Sequence, residues 1–352
     1  MMEAGDCLGV GIIGSGFMGH TYARTVQTML EGARLAGVAG GSRAPALADE
    51  YGVACFESYE DLVARDDVDL VCIATPHACH AEQALAAARA GKHLLIDKPM
   101  ACTVEDCDAI LDACRANGLK CSITFTQRYR VGFATAKGVI ASGRLGRVLE
   151  IRSYQIVPEG MGVVPPWQVQ PENVGILLGH GIHNIDAIRA LTGQEVASVF
   201  AKCRTLAGAP IEGTSDMLIT MADGGVHYVF CSFELPKPGF PRNECGTQIA
   251  CERGLLDIDP YAETRVSFDG GAWEVAAVQP PIDWAGAGFL DVNRLESYAR
   301  LIQDLIDAIR EDRDPPVTGW DGRQAVAAAL AAYESSRTGN EIQLSRNAAV
   351  QE

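Results

Sequence analysis

Three sets of residues in this 352-residue chain have the types and spacing to do chemistry. The first is Gly14-Ser15-Gly16-Phe17-Met18-Gly19, placed directly after the apolar run Leu8 to Ile13. A G-x-G-x-x-G that closes a strand and opens a helix is the turn that seats a dinucleotide pyrophosphate. Gly14 permits the tight turn, Gly16 lets backbone N–H groups approach phosphate, and Gly19 lets the helix lie close on the strand. The free N–H groups and the positive dipole end of the helix then face the anion. Phe17 and Met18 stand inside the same turn. The alternative is a plain strand-to-helix turn with spare glycines.

The end of the second predicted strand, Ala39-Gly40-Gly41-Ser42-Arg43, carries no carboxylate. An acidic residue there accepts from the adenosine ribose of NAD and repels the 2′-phosphate of NADP. Ser42 can donate to that phosphate, and Arg43 can pair with it and stack on adenine. NADP is therefore expected, with NAD possible. In the other reading Arg43 is a solvated residue opening the next helix.

The second set is Ala74-Thr75-Pro76-His77-Ala78-Cys79-His80, where a predicted strand ends. Ligands sit outside the carboxyl ends of parallel strands, so Thr75, Pro76, His77 and His80 are expected along a cofactor. Their plainer reading is a strand stop and a helix start. The third set is Gly91-Lys92-His93-Leu94-Leu95-Ile96-Asp97-Lys98-Pro99, followed at a distance by Gly179-His180-Gly181-Ile182-His183-Asn184-Ile185-Asp186. Lys98 at a strand end is poorly placed for an idle surface lysine. His183 suits proton transfer near neutral pH, and equally suits a satisfied histidine at a helix start.

The elements that must position these groups alternate in the N-terminal third. Strands are expected at Leu8–Ile13, Arg34–Ala39, Asp69–Ala74, His93–Ile96 and Lys120–Phe125, with helices between them. Thr103 followed by Asp106 reads as a variant capping box. Near-continuous apolar strands separated by helices imply a doubly wound parallel sheet covered on both faces. After residue 126 the pattern becomes strand-rich, from Val148–Ile156 through Val196–Cys203 to Thr264–Phe268, and reads as a large, mostly antiparallel open sheet. A long helix near Leu295–Ile309 and another at Gly322–Ser335 follow. The fold class is α/β, with a dinucleotide-binding domain over 1–125 and an α+β substrate and oligomerisation domain over 126–352.

Composition sets the limits. A formal charge of −16 argues against nucleic acid or an anionic membrane as partner. No apolar run reaches membrane-spanning length, and the start lacks the basic region of a secretory leader. The 12 cysteines are scattered through apolar segments with no C-x-x-C pair or zinc spacing, so no metal is expected and a reducing, cytoplasmic setting is.

Taken together, residues 14–19, 75–80, 91–99 and 179–186 resemble the Gfo/Idh/MocA family of glucose-fructose oxidoreductase and inositol dehydrogenase-like proteins. Arg144-Leu145-Gly146 resembles the family's entry into its second domain. The resemblance covers nearly the whole chain, and its specificity lies in the combination of motifs. It implies two domains with the active site at their seam, and hydride transfer between a carbinol carbon and nicotinamide. The family's lysine maps onto Lys98 and its catalytic histidine onto His183. Asp97 and Gln127 are expected on the cofactor. A cationic Lys98 near the histidine would lower its proton affinity and stabilise a developing alkoxide.

Two positions depart from the family pattern. Asp97 replaces a glutamate. Gly179 replaces the aspartate that in polyol-oxidising relatives helps hold substrate hydroxyls, and His180 beside it could take over or merely fill space. The substrate is expected to be a sugar, polyol or related cyclic alcohol, with a dihydrodiol or an aldehyde hydrate as alternatives. A non-catalytic dinucleotide-binding regulator of the same fold is the rival class, and a redox-neutral reaction on a recycled cofactor is a third. Arg128 and Arg130 suit an anionic substrate or, alternatively, packing. Trp167 could be a sugar platform or a loop anchor, and Tyr129 is the fallback should neither histidine act. Alternating Val226, Tyr228 and Phe230 against His227, Val229 and Cys231 leaves both sheet faces largely apolar, so a homo-oligomer, dimer or tetramer, is expected.

Overall fold

Runs of branched apolar residues bounded by glycine or aspartate fold into six short strands in the N-terminal part of the computed structural model, which describes residues 7–157, 167, 170, 173, 175–205, 211–236 and 245–344. The order of elements is β1 (Leu8–Ile13), α1 (Phe17–Met29), β2 (Ala33–Ala39), α2 (Ala44–Tyr51), β3 (Ala54–Phe56), α3 (Tyr59–Val63), β4 (Leu70–Ile73), α4 (His80–Arg89), β5 (His93–Ile96), α5 (Val104–Ala116) and β6 (Cys121–Ile123). The strands form one sheet in the order β3-β2-β1-β4-β5-β6, parallel throughout. Val10, Ile12, Val71, Ile73, Leu94 and Ile96 are fully buried, as helices on both faces require. Thr103 caps α5, its hydroxyl accepting from the Asp106 N–H at 3.1 Å and donating to the Asp106 carboxylate at 2.7 Å.

The C-terminal part contains α6 (Val131–Ala141), β7 (Val148–Ile156), α7 (Ile182–Thr192), β8 (Val196–Thr205), β9 (Glu212–Met221), β10 (Val226–Ser232), β11 (Cys245–Cys251), β12 (Gly254–Ile258), β13 (Glu263–Phe268), β14 (Glu274–Val278), α8 (Val292–Arg310), α9 (Gly319–Thr338) and β15 (Ile342–Gln343). Nine of these strands pair in the order β14-β13-β12-β11-β7-β10-β9-β8-β15. β7 and β10 run parallel, with Cys231 opposite Gln155, and the other recorded pairs are antiparallel.

The chain divides into two units, Met1–Tyr129 with Ile282–Arg323, and Arg130–Pro281 with Gln324–Glu352. The first boundary lies four residues beyond the expected 125. The larger difference is that residues 282–323 group with the first unit and not, as the sequence suggested, with the second. The reason is side-chain pairing that periodicity does not reveal. Arg294 of α8 donates to the Thr21 hydroxyl on α1, Gln303 accepts from Glu31 N–H, and Arg310 donates to the Gly32 carbonyl at 2.7 Å. Four elements escaped the sequence reading. β3 is three residues long and mostly exposed, and β15 only two. β14 is an exposed edge strand. α6 contains two glycines and β-branched residues of weak helix propensity, and Gly132 is there because a Cβ would stand 2.1 Å from the Thr264 hydroxyl.

Candidate active site

In the first unit, β1 runs into Gly14 at φ +107°, whose N–H donates to the Ala39 carbonyl of β2 at 2.8 Å. A Cβ on Gly19 would stand 1.9 Å from the Gly14 carbonyl oxygen, so α1 lies as close to the strand end as a glycine allows. Gly16 is the N-cap of α1, in extended backbone, with no capping side chain and no acidic residue in the first turn. The first N–H groups of α1 therefore have no side-chain cap to satisfy them, which is the condition for anion binding at a helix start. Gly40 and Gly41, both at positive φ, bring the end of β2 alongside. A Cβ on Gly41 would stand 2.7 Å from Ser15 Oγ, and the Arg43 guanidinium reaches to 3.4 Å from the place a Gly16 Cβ would occupy. Ser15, Gly16 and Arg43 line a cleft of about 390 Å³, walled also by Phe17, Glu50 and Phe289. Ser42 is exposed beside it.

At the carboxyl ends of β4 and β5 the side chains are tied down. The Asp97 carboxylate accepts from Tyr22 at 3.1 Å, Thr124 at 2.6 Å and the Lys98 N–H at 3.0 Å. This fixes the backbone from which Lys98 projects. Lys98 is half-buried. Burial holds its ammonium below the usual lysine range, and Asp97 opposes that shift. The Thr75 hydroxyl donates to Gln83 at 2.6 Å. His80 is fully buried, with Nδ1 2.8 Å from the Pro99 carbonyl and Nε2 2.9 Å from the Thr75 carbonyl. Both ring nitrogens thus bridge the loop that ends β4 and the one that follows β5. His77 is buried edge-on against that ring, the centroids 5.7 Å apart. Gln127 sits half-buried in the turn Thr126–Tyr129.

Two residues left open by the sequence are committed to packing. Arg128 pairs with Asp321 at 2.9 Å and donates to the Pro316 carbonyl at 3.2 Å. The Tyr129 hydroxyl donates to Asp304 at 2.8 Å, and burial together with that carboxylate drives its proton affinity far above the usual phenol range.

In the second unit, His180 lies in a π-helical turn, Leu177–Gly181, that runs into α7, and His183 lies in the first turn of α7. Such wide turns interrupt helices where a side chain must be re-aimed. Gly181 allows this turn to approach β10, since a Cβ would stand 2.6 Å from Cys231 Sγ. Glu212 holds its start, accepting from the Leu177 N–H at 2.9 Å and the Tyr333 hydroxyl at 2.7 Å. The His180 ring packs edge-on against Phe233 with centroids 5.3 Å apart. The beginning of α7 is pinned to the sheet by Asn184 donating to Ser153 at 2.6 Å, with Ser153 in turn 2.8 Å from Thr247. His183 is half-buried. Arg130 is buried with its guanidinium 4.6 Å over the Tyr261 ring. Trp167 is exposed, and its carbonyl accepts from Asn173 at 2.8 Å. Its neighbours Pro165 and Pro166 lie outside the described residues. Lys98 thus belongs to the first unit and both histidines to the second, each placed within its own unit.

Residues 8–125 match the family model described as an oxidoreductase family with NAD-binding Rossmann fold, and residues 133–257 match the GFO/IDH/MocA C-terminal domain. The chain belongs to the GFO/IDH/MocA oxidoreductase family. It is 29% identical over 339 residues to an inositol 2-dehydrogenase 2 of Saccharopolyspora erythraea, covering 95% of this chain and 94% of that protein. It is 25% identical over 342 residues to a scyllo-inositol 2-dehydrogenase (NAD(+)) of Bacillus subtilis, covering 95% of both. Among solved structures it resembles an apo scyllo-inositol dehydrogenase of Lactobacillus casei, with TM-score 0.76, 25% identity and coverage of 96% of this chain and 98% of that one. The protein is accordingly a nicotinamide-dependent oxidoreductase acting on hydroxyl groups.

Sequence reasoning missed two residues at the glycine turn of this oxidoreductase. Phe289 packs edge-on against Phe17, with centroids 3.8 Å apart. Buried Arg294 donates to the Phe289 carbonyl at 2.6 Å and to Tyr298 at 3.0 Å, with its guanidinium 5.1 Å from the Phe17 ring. It therefore places a fixed positive charge beside the first turn of α1. Both lie far along the chain from that turn, and no local motif links them to it. The half-buried Glu212–Tyr333 pair, which holds the start of the π-helical turn, was equally silent.

Proposed function

We propose that this oxidoreductase is an NADP-dependent dehydrogenase of a sugar, polyol or related cyclic alcohol. The observation that carries the cofactor reading is the glycine turn, with its uncapped helix start, crossed by Arg43 and flanked by Ser42, with no carboxylate at the β2 end. A Cβ at Gly14 would strike the Ala74 carbonyl, one at Gly19 the Gly14 carbonyl and one at Gly41 the Ser15 hydroxyl, so glycines give the turn its tight form, and the open approach at Gly16 fits a dinucleotide. Gly14, Gly16 and Gly19 would hold the pyrophosphate, and Ser42 and Arg43 the adenosine 2′-phosphate. The nicotinamide, when bound, supplies the hydride acceptor or donor. Lys98 positions and polarises the reacting hydroxyl, and His183 takes its proton as the C–H bond breaks. Inositol dehydrogenases among the relatives support a cyclic polyol. Gly179 removes one carboxylate from that setting, which favours a substrate with fewer free hydroxyls or with its own charge. The test is reduction of NADP and of NAD, followed by nicotinamide absorbance, against a panel of inositols, aldoses, anhydro sugars and sugar acids. Turnover on none of them, with tight cofactor binding retained, would favour the regulator.

We further propose that the open face of the nine-stranded sheet is covered by a second copy. Phe200, Leu218, Tyr228 and Arg152 stand side by side across four strands of it. Phe200, Leu218, Val226, Leu255 and Val275 are all more than a third exposed, and large apolar side chains gathered on one sheet face mark an interaction surface. The 12 unbridged cysteines support a reducing, cytoplasmic setting. Among the described residues no helix is long and apolar enough to cross a membrane.

A further inference from the structure

We propose that His80 stands as an imidazolium and serves as a positioning residue for Lys98. The ring is fully buried, and both of its nitrogens face backbone carbonyl oxygens, Pro99 at 2.8 Å and Thr75 at 2.9 Å. A carbonyl only accepts. A neutral imidazole has one N–H, so one of its nitrogens would point a lone pair at a carbonyl lone pair within hydrogen-bond distance. An imidazolium donates to both.

The surroundings taken together lower the proton affinity of the ring, burial above all, so the cation stands on the hydrogen-bond geometry. Burial favours the neutral ring, and Lys98 opposes a second cation, as does the start of α4, where His80 is the first residue. Asp97 favours the charged ring, as do the two carbonyls. Glu82 in the first turn of α4 offsets part of the helix dipole. His77 packs edge-on, and Cys79, its thiol pushed up by burial, is neutral. The geometry decides in favour of the cation. A buried polar atom facing a like partner forfeits a hydrogen bond and its hydration together, and here that loss would fall on a carbonyl as well as on the ring.

The consequence reaches Lys98 in two ways. The bond to the Pro99 carbonyl ties the backbone just after Lys98 to the loop that ends β4, while Asp97 ties the backbone just before it. The charge also makes the Lys98 ammonium easier to deprotonate, as a neighbouring like charge does.

Two measurements test this. In the full-length wild-type protein, ring-nitrogen NMR should show both His80 nitrogens protonated from pH 6 to pH 8. A single protonated nitrogen at pH 7 would overturn the proposal, and this reading does not depend on turnover or on the role of Lys98. In His80→Asn, the alkaline limb of the pH–rate profile should move upward by about one pH unit, because the like charge beside Lys98 is gone. That part rests on the reading of Lys98 as the cation at the reacting hydroxyl. A folded His80→Asn with an unmoved alkaline limb would overturn the link to Lys98. Should His80→Asn fail to fold, the wild-type spectrum alone decides.

Discussion

Gly16→Ala and Gly19→Ala separate a glycine kept for a ligand from one kept for the fold. At Gly19 a Cβ would lie 1.9 Å from the Gly14 carbonyl oxygen, backbone against backbone. Neither group can rotate away, so α1 must lift off the end of β1. Overpacking of this kind costs about 1–3 kcal/mol, and it should appear as a lower denaturation midpoint without any ligand. At Gly16 the backbone is extended, at φ −75° and ψ −166°, which any residue adopts. The nearest atom to its Cβ is the tip of the Arg43 side chain at 3.4 Å. Gly16→Ala should therefore leave the unliganded midpoint unchanged, or raise it slightly through the unfolded chain. Cofactor binding should nevertheless suffer, because the new methyl occupies the approach of a phosphate oxygen to the α1 N–H groups. Loss of one charge-assisted hydrogen bond, about 1.5–3 kcal/mol, is roughly a 10- to 150-fold rise in Kd at 1.4 kcal/mol per decade. Tryptophan fluorescence titration and thermal denaturation on the same samples provide both numbers. Wild-type affinity in Gly16→Ala would refute phosphate seating at this turn.

Other consequences can be checked in parallel. Arg43→Ala should weaken NADP by about tenfold, at the low end for a charged hydrogen bond because the side chain is exposed, while leaving NAD affinity unchanged in the same titration. Burial raises the proton affinity of the Glu212 carboxyl above the ordinary carboxylate range. The folded state then holds a proton that the unfolded chain has released, so this contribution to stability is complete below pH 4.5 and is lost as pH rises through the raised midpoint. Glu212→Gln keeps the carbonyl oxygen and should flatten that limb in urea denaturation at stepped pH. Leu218→Asp on the open sheet face should reduce the mass seen by light scattering at micromolar concentration, and an unchanged mass would place the interface elsewhere.

The strands and helices that carry period-2 and period-3.6 apolar patterns were legible in the sequence, because their burial is local to each element. The turn at Gly14–Gly19 was legible because one short peptide performs the whole task. The closure of the cradle was not. Phe289 and Arg294 reach α1 from the far end of the chain, and a helix stripe such as Leu295, Ile302 and Leu305 shows that α8 is buried without showing against what. Arg128 and Tyr129 illustrate the same gap at single residues, since R-Y-R in the sequence leaves ligand and packing roles open and does not reveal the pairings with Asp321 and Asp304. The bridging role of His80 depends on two backbone carbonyls, which carry no side-chain signature at all.

Lys98 and His183 are proposed to carry the oxidation of a hydroxyl. The most direct test is kcat of His183→Ala measured beside His180→Ala, each with NADP affinity determined in the absence of substrate. His183→Ala should lose about 10²- to 10⁴-fold in kcat, the usual loss for a general base, with NADP affinity close to wild type, while His180→Ala keeps most of its turnover. Near-normal turnover in His183→Ala with an inactive His180→Ala would contradict it.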